Sequence, residues 1–277
     1  MSTQRGLRVW ISGASSGLGE SLARELAARG CHLAIFARRE QLLEKLRSDL
    51  VAAHPSISVI AQTGDVRDRA QVHAGIREAE GRLGGIDLLI LNAGTGDSLS
   101  PEKFSAELVE RITAVNYLGA IYGIEAALPA MLQRKSGTIV GVSSIGAVRG
   151  FPMAAPYCAS KAALTSFLES LRLDLWGSGV RVITVSPGFI KTPLTDRNRF
   201  PMPFLVSSES AARRIVDGIS RRKREIHFPR RLTIPLKILR CFPGFLFDWI
   251  LSRTMRGKGY RKETGSPATP AARRPFG

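Results

Sequence analysis

The stretch "YCASK" at 157–161 sets a phenol and a primary amine, Tyr157 and Lys161, four residues apart with only small residues between them. On a helix, positions i and i+4 stand one above the other on a single face. A phenol titrates near ~10, too high for easy proton exchange at neutral pH, and a cation within reach lowers it by roughly 1–3 units. The pair has the makings of a proton donor and its activating partner. The same spacing also arises on ordinary helix surfaces, so the surrounding elements must decide.

A second group of residues bears on phosphate. "SGASSGLG" (12–19) places Gly13, Gly17 and Gly19 in the spacing G-x-x-x-G-x-G, between an apolar run at 7–13 and a helical stripe at 18, 22, 23, 26 and 27. Gly13 permits a tight turn, Gly17 lets backbone approach a pyrophosphate, and Gly19 lets the helix sit close to a sheet. The helix N-terminus adds unpaired N–H groups and a partial positive charge. The next apolar run ends in Ala37, Arg38 and Arg39. A carboxylate at that place binds the ribose hydroxyls of NAD and repels a 2′-phosphate, whereas arginine grips phosphate with a planar fork of donors. The expected cofactor is NADP(H), with Ser15 as a further donor to its phosphate. Asp65 and Val66, at the end of the third run, suit the adenine amino group and ring. Asn92, Ala93 and Gly94, after the fourth, let the remainder of the dinucleotide lie against backbone.

These residues are positioned by a regular alternation. Strands are expected at 7–13, 31–37, 57–66, 86–94, 137–144, 180–188 and 224–228. Helices are expected at 17–29, about 40–52, 69–83, from Pro101 to about 133, about 154–177 and 208–221. Near-continuous apolar strands in ~25–30-residue units indicate a parallel sheet covered on both faces. Right-handed crossovers then make it doubly wound, a single Rossmann-type α/β domain. Ligands of such sheets sit at the carboxyl ends of the strands, and the polar and glycine-rich segments cluster just there.

Composition narrows the classes. The chain has 277 residues and a formal net charge of +17. From residue 211 onward it holds 17 Lys/Arg against 4 Asp/Glu, which leaves the first 210 residues near neutral. Cys31, Cys158 and Cys241 form no disulfide framework, and with the scattered histidines they give no metal-ligand spacing. No metal is expected. The start, "MSTQRGLRVWISG", has no long apolar run ahead of the first strand, so the expectation is a cytoplasmic protein that begins near residue 1.

Taken together, "SGASSGLG", "GDV", "LNAG", the Asn of "AVNYLG", "VSSIGAVRGFPMAAPYCASK" and "SPGFIKT" resemble the short-chain dehydrogenase/reductase family over about 7–225, in the right order. Ser12 stands where many members have threonine; the hydroxyl is kept. The resemblance implies a carbonyl/alcohol oxidoreductase with Tyr157 as general acid or base and Lys161 lowering its pKa and binding the nicotinamide ribose. Ser144, thirteen residues before Tyr157, would bond the substrate oxygen, and Asn116 would hold a relay water. It also implies cofactor contacts from Ser16, Leu18, Pro187, Gly188, Ile190 and Thr192, the last anchoring the carboxamide. A second reading keeps the fold and cofactor but has no turnover, a regulatory or scaffold protein.

The domain is read as 1–229, with 193–208 covering the substrate. Phe200, Met202, Phe204 and Leu205 in that cover point to a hydrophobic, lipid-like carbonyl compound. Residues 230–256 interleave apolar side chains with Lys and Arg, and Lys237, Arg240 and Asp248 argue against a spanning helix. The segment is expected to pack across a subunit boundary of a homodimer or homotetramer, to lie peripherally on a membrane surface, or to pack on its own domain. Residues 257–277 have a disordered composition. No recognition motif supports nucleic-acid binding.

Overall fold

The computed structural model describes residues 4–198 and 201–256. Phe200 of the expected substrate cover and the expected tail 257–277 lie outside the described residues. One compact unit extends to Leu236, and a second begins at Lys237.

The first unit is built on seven parallel strands in the order β3-β2-β1-β4-β5-β6-β9. They are β1 (Arg8–Ser12), β2 (His32–Ala37), β3 (Val59–Thr63), β4 (Leu88–Leu91), β5 (Gly137–Val142), β6 (Val180–Pro187) and β9 (Glu225–Phe228). The order reverses between β1 and β4, which opens the crevice in which doubly wound sheets bind ligands. Two further short strands, β7 (Ile190–Lys191) and β8 (Val206–Ser207), pair with each other across the segment expected to cover the substrate.

Helices α1 (Gly17–Ala28), α2 (Glu40–Ala53) and α7 (Ser208–Ser220) cover one face over Val9, Ile11, Leu33, Ile35 and Ile90. Helices α3 (Arg69–Leu83), α4 (Ala106–Thr113), α5 (Gly119–Gln133) and α6 (Ala155–Asp174) cover the other over Trp10, Phe36, Leu89 and Ile139. The local signals are ordinary ones. Asp68 caps α3 by accepting from the N–H groups of Ala70 and Gln71, and Gly84 ends it in the left-handed conformation. Trp10 is fully buried in a central strand, stacked 5.2 Å from Phe36, and its Nε1 donates to Gln62 Oε1 at 3.1 Å. Its replacement by alanine costs roughly 3–5 kcal/mol.

The long helix expected from Pro101 to about 133 begins later, at Ala106, and Pro101–Lys103 is a separate 3₁₀ turn. Between α4 and α5 the chain forms a π turn over Ala114–Leu118, which contains Asn116. Such bulges insert one residue and redirect the side chains around it, often at functional sites. The combined stretch Ala106–Gln133 is long and apolar enough to cross a bilayer by length and composition, yet it carries Ile112, Ile124, Ala127 and Met131 into the core.

The basic segment forms α8 (Arg230–Leu239) and α9 (Gly244–Arg256). Residues 240–243 separate the two helices, and Pro235 lies inside α8 without ending it.

Candidate active site

The carboxyl ends of β1 and β4 are tied at the switch point. Ser12 Oγ accepts from the backbone N–H groups of Asn92 and Ala93, each at 3.1 Å, and Asn92 Nδ2 donates to the Ser12 and Gly13 carbonyls at 3.1 and 3.3 Å. A serine does here what a threonine hydroxyl would. Asn92 thus fixes the backbone at the floor of the crevice. Gly13 turns with φ +69°, and a Cβ on it would lie 2.7 Å from Ala93 Cα. A Cβ on Gly19 would run into the Gly13 carbonyl and come 2.6 Å from Asn92 Nδ2. The glycines set the distance between helix and sheet by having no side chain. Ser16, the N-cap of α1, makes no capping bond, so the first N–H groups of α1 keep their donors for a ligand.

The cleft at this edge measures about 340 Å³. Every residue expected to bind cofactor lines it: Gly13, Ser15, Ser16, Gly17, Leu18 and Gly19 from the first turn, Arg38 and Arg39 after β2, Asp65 and Val66 after β3, and Asn92, Ala93 and Gly94 after β4. Ser144, Tyr157, Lys161, Pro187, Gly188, Ile190 and Thr192 line its other end. Asn116 does not. It is 1% exposed and lies behind the wall.

At the end of the cleft formed by the loops after β2 and β3, Arg39 folds back on the glycine turn. Its Nη2 donates to Ser15 Oγ at 2.8 Å and Ser16 Oγ at 2.5 Å, and Nε donates to Ser15 Oγ at 3.1 Å. Arg38 is exposed, 3.9 Å from Asp65. A third arginine, which motif reasoning did not single out, completes the cluster. Arg67 forks onto Asp65 Oδ2 through Nε at 3.0 Å and Nη2 at 2.7 Å. Burial pushes the Asp65 carboxyl up, but the hydrogen bonds from Arg67 and the charge of Arg38 hold it below the ordinary carboxylate range. The signal was present in "DVRD": a cation two residues after a turn aspartate can reach back to it.

At the other end, α6 presents Tyr157 and Lys161 toward the cleft. Tyr157 is flanked by two glycines: a Cβ on Gly96 or Gly146 would lie 3.4 or 3.3 Å from its ring. Ser144 N-caps the short helix 145–147 by accepting from Gly146 N–H at 3.0 Å. Its neighbour Ser143 bonds the Lys161 carbonyl at 3.0 Å and Thr165 Oγ1 at 2.7 Å, so Ser143 is the structural serine of the two. Asn116 Oδ1 accepts from Thr95 N–H at 2.7 Å, while Nδ2 donates to Thr95 O at 2.9 Å and Ser160 Oγ at 3.0 Å. It clamps the strand-four loop to α6. Thr192 and Ile190 are held by Thr195, whose Oγ1 donates to the Ile190 carbonyl at 2.6 Å. Thr195, Leu194 and Arg111 line the cleft and had no motif to announce them.

One electrostatic expectation is corrected. Lys161 was to pull the Tyr157 phenol down. Burial instead raises Tyr157 above its ordinary value, opposed by the hydrogen bond with Ser144. The lysine, 3% exposed, donates from Nζ to the Val142 carbonyl at 2.8 Å. Its own pKa is lowered to about 8, by burial.

Comparison with known proteins agrees with this geometry. The profile of a family described as short chain dehydrogenase matches residues 8–201. An uncharacterized oxidoreductase of Myxococcus xanthus is 41% identical over 238 residues, covering 86% of this chain and 93% of that protein. An uncharacterized oxidoreductase of Mycobacterium tuberculosis is 34% identical over 229 residues, covering 82% and 88%. The 11-beta-hydroxysteroid dehydrogenase 1A of Arabidopsis thaliana is 34% identical over 239 residues, covering 80% and 68%.

Proposed function

The chain belongs to the short-chain dehydrogenase family, a family of oxidoreductases that use a nicotinamide cofactor, and from that premise we propose that it is NADP(H)-dependent and interconverts a hydrophobic carbonyl compound and its alcohol. The cleft residues fit the dinucleotide: the bare backbone at Gly13 and Gly19 and the open N–H groups of α1 suit a pyrophosphate. The observation that carries the cofactor choice is the Arg39 fork laid on Ser15 and Ser16, beside Arg38, with Ala37 where a carboxylate would favour NAD. When bound, the nicotinamide supplies or takes the hydride.

The chain's own part is the proton and the substrate oxygen. The Tyr157 hydroxyl, which lines the cleft, is the general acid that gives its proton to the substrate oxygen in carbonyl reduction. Ser144, already within hydrogen-bonding reach of that phenol, stabilises the oxygen as charge develops on it. Lys161, with a pKa of about 8, holds its proton at neutral pH and would donate to the ribose hydroxyls. Asn116 positions the loop and α6 relative to each other rather than touching the reacting atoms.

Support for a hydrophobic substrate comes from Leu194 beside Tyr157, from the exposed Phe204 and Leu205 in the covering segment, and from the steroid named for the Arabidopsis relative. The test is Tyr157→Phe, assayed by NADPH absorbance against a panel of hydrophobic ketones. Turnover falls by roughly a hundredfold or more, the range of a lost general acid, while NADPH affinity is retained. A mutant with ordinary turnover refutes the proton-donor role.

A further inference from the structure

We propose that α8 and α9 each bind the surface of an anionic lipid bilayer through their exposed apolar and basic side chains. On α8, Arg230, Ile234 and Ile238 recur every fourth residue with Arg231 beside them, and all four are exposed. The two isoleucines are 44% and 57% exposed. The opposite side of the helix is committed to the body: Thr233 is fully buried and donates from Oγ1 to the Pro229 carbonyl at 3.2 Å. Leu232 lies so close to Gly188, on the rim of the cleft, that a Cβ there would come within 2.8 Å of it. On α9, Phe245, Trp249 and Arg253 repeat the same spacing on an exposed stripe, with the Arg253 guanidinium 4.3 Å over the Trp249 ring.

Large apolar side chains this exposed mark a contact surface. Their mixture with arginine decides which kind. Residues 230–256 carry six Lys/Arg and a single acid, Asp248. A second copy docked about a two-fold axis would set this cationic face against itself. A nucleic acid would satisfy the arginines but give Ile234, Ile238 and Phe245 no apolar partner. A bilayer interface takes both: aliphatic side chains enter the acyl boundary, aromatic rings sit at headgroup depth, and arginines reach out to anionic headgroups. The proposal is independent of the chemistry assigned to the cleft.

The test is co-sedimentation of the full chain with phosphatidylcholine vesicles, with and without about a third phosphatidylglycerol. The protein is expected to pellet with the anionic vesicles, to be released by salt and to stay in solution with the neutral ones. Arg230→Gln/Arg231→Gln should weaken partition about 25-fold, at about fivefold for each basic side chain near an anionic surface. Ile238→Asp/Phe245→Asp should abolish it, with thermal midpoints in both variants reporting an intact fold. Equal binding to both vesicle types, no binding to either, or unchanged partition in the variants overturns the proposal. So does a loss of self-association in sedimentation velocity as the sole effect of Ile238→Asp/Phe245→Asp, which identifies the occupant as a second copy.

Discussion

Lys161→Met is expected to make the ligand-free protein more stable while removing its activity. The amine is 3% exposed, and its pKa of about 8 lies below the ordinary 10.5. The folded state therefore prefers the neutral amine. Below pH 8 the native chain keeps a charge it would release if it could, and the cost is present in full. Between about 8 and 10.5 the native chain sheds its proton before the unfolded chain does, so stability rises with pH and the cost disappears. At 1.36 kcal/mol per unit, the cost at neutral pH is about 3 kcal/mol. Methionine keeps the apolar stem and removes the charge. It also strips the Val142 carbonyl of its 2.8 Å donor, a loss of about 1–2 kcal/mol. The net gain at pH 7 is about 1–2 kcal/mol, a rise in midpoint of about 2–8 °C for a chain of this size. Calorimetry at neutral pH and at about pH 10 checks it: the mutant leads at the first and loses the lead at the second. A midpoint that falls at pH 7, or a lead that does not shrink with pH, refutes the claim that this ammonium is held at a cost to the fold.

Two further outcomes follow from the cleft. Arg39→Ala should weaken NADPH by about 10–100-fold, the worth of a charge-assisted phosphate bond, and leave NADH unchanged in fluorescence titration; Arg38→Ala should do less, because Arg38 lacks the serine supports that pre-set Arg39. Gly19→Ala should lower the thermal midpoint by an overpacking cost of about 1–3 kcal/mol and abolish dinucleotide binding in the same titration, because its Cβ meets the Gly13 carbonyl.

The sequence by itself determined the sheet, its faces and the edge at which ligands bind. Apolar strands alternating with amphipathic helices admit few other solutions, and Gly13, Gly19 and the arginines after β2 follow strands at fixed offsets, so chain order alone sends them to one crevice. The tertiary structure decided what depends on neighbours remote in sequence. Asn116 turned out to be a clamp on Thr95 and Ser160 at a π turn, which no periodicity announces. Arg67 joined Arg38 and Arg39 on the cleft wall because folding gathers the β2 and β3 loops. The shift of the Tyr157 phenol ran opposite to expectation for the same reason. The i, i+4 spacing sets which side chains share a face, but burial and the Val142 carbonyl, contributed by a strand nineteen residues away, set their pKa values.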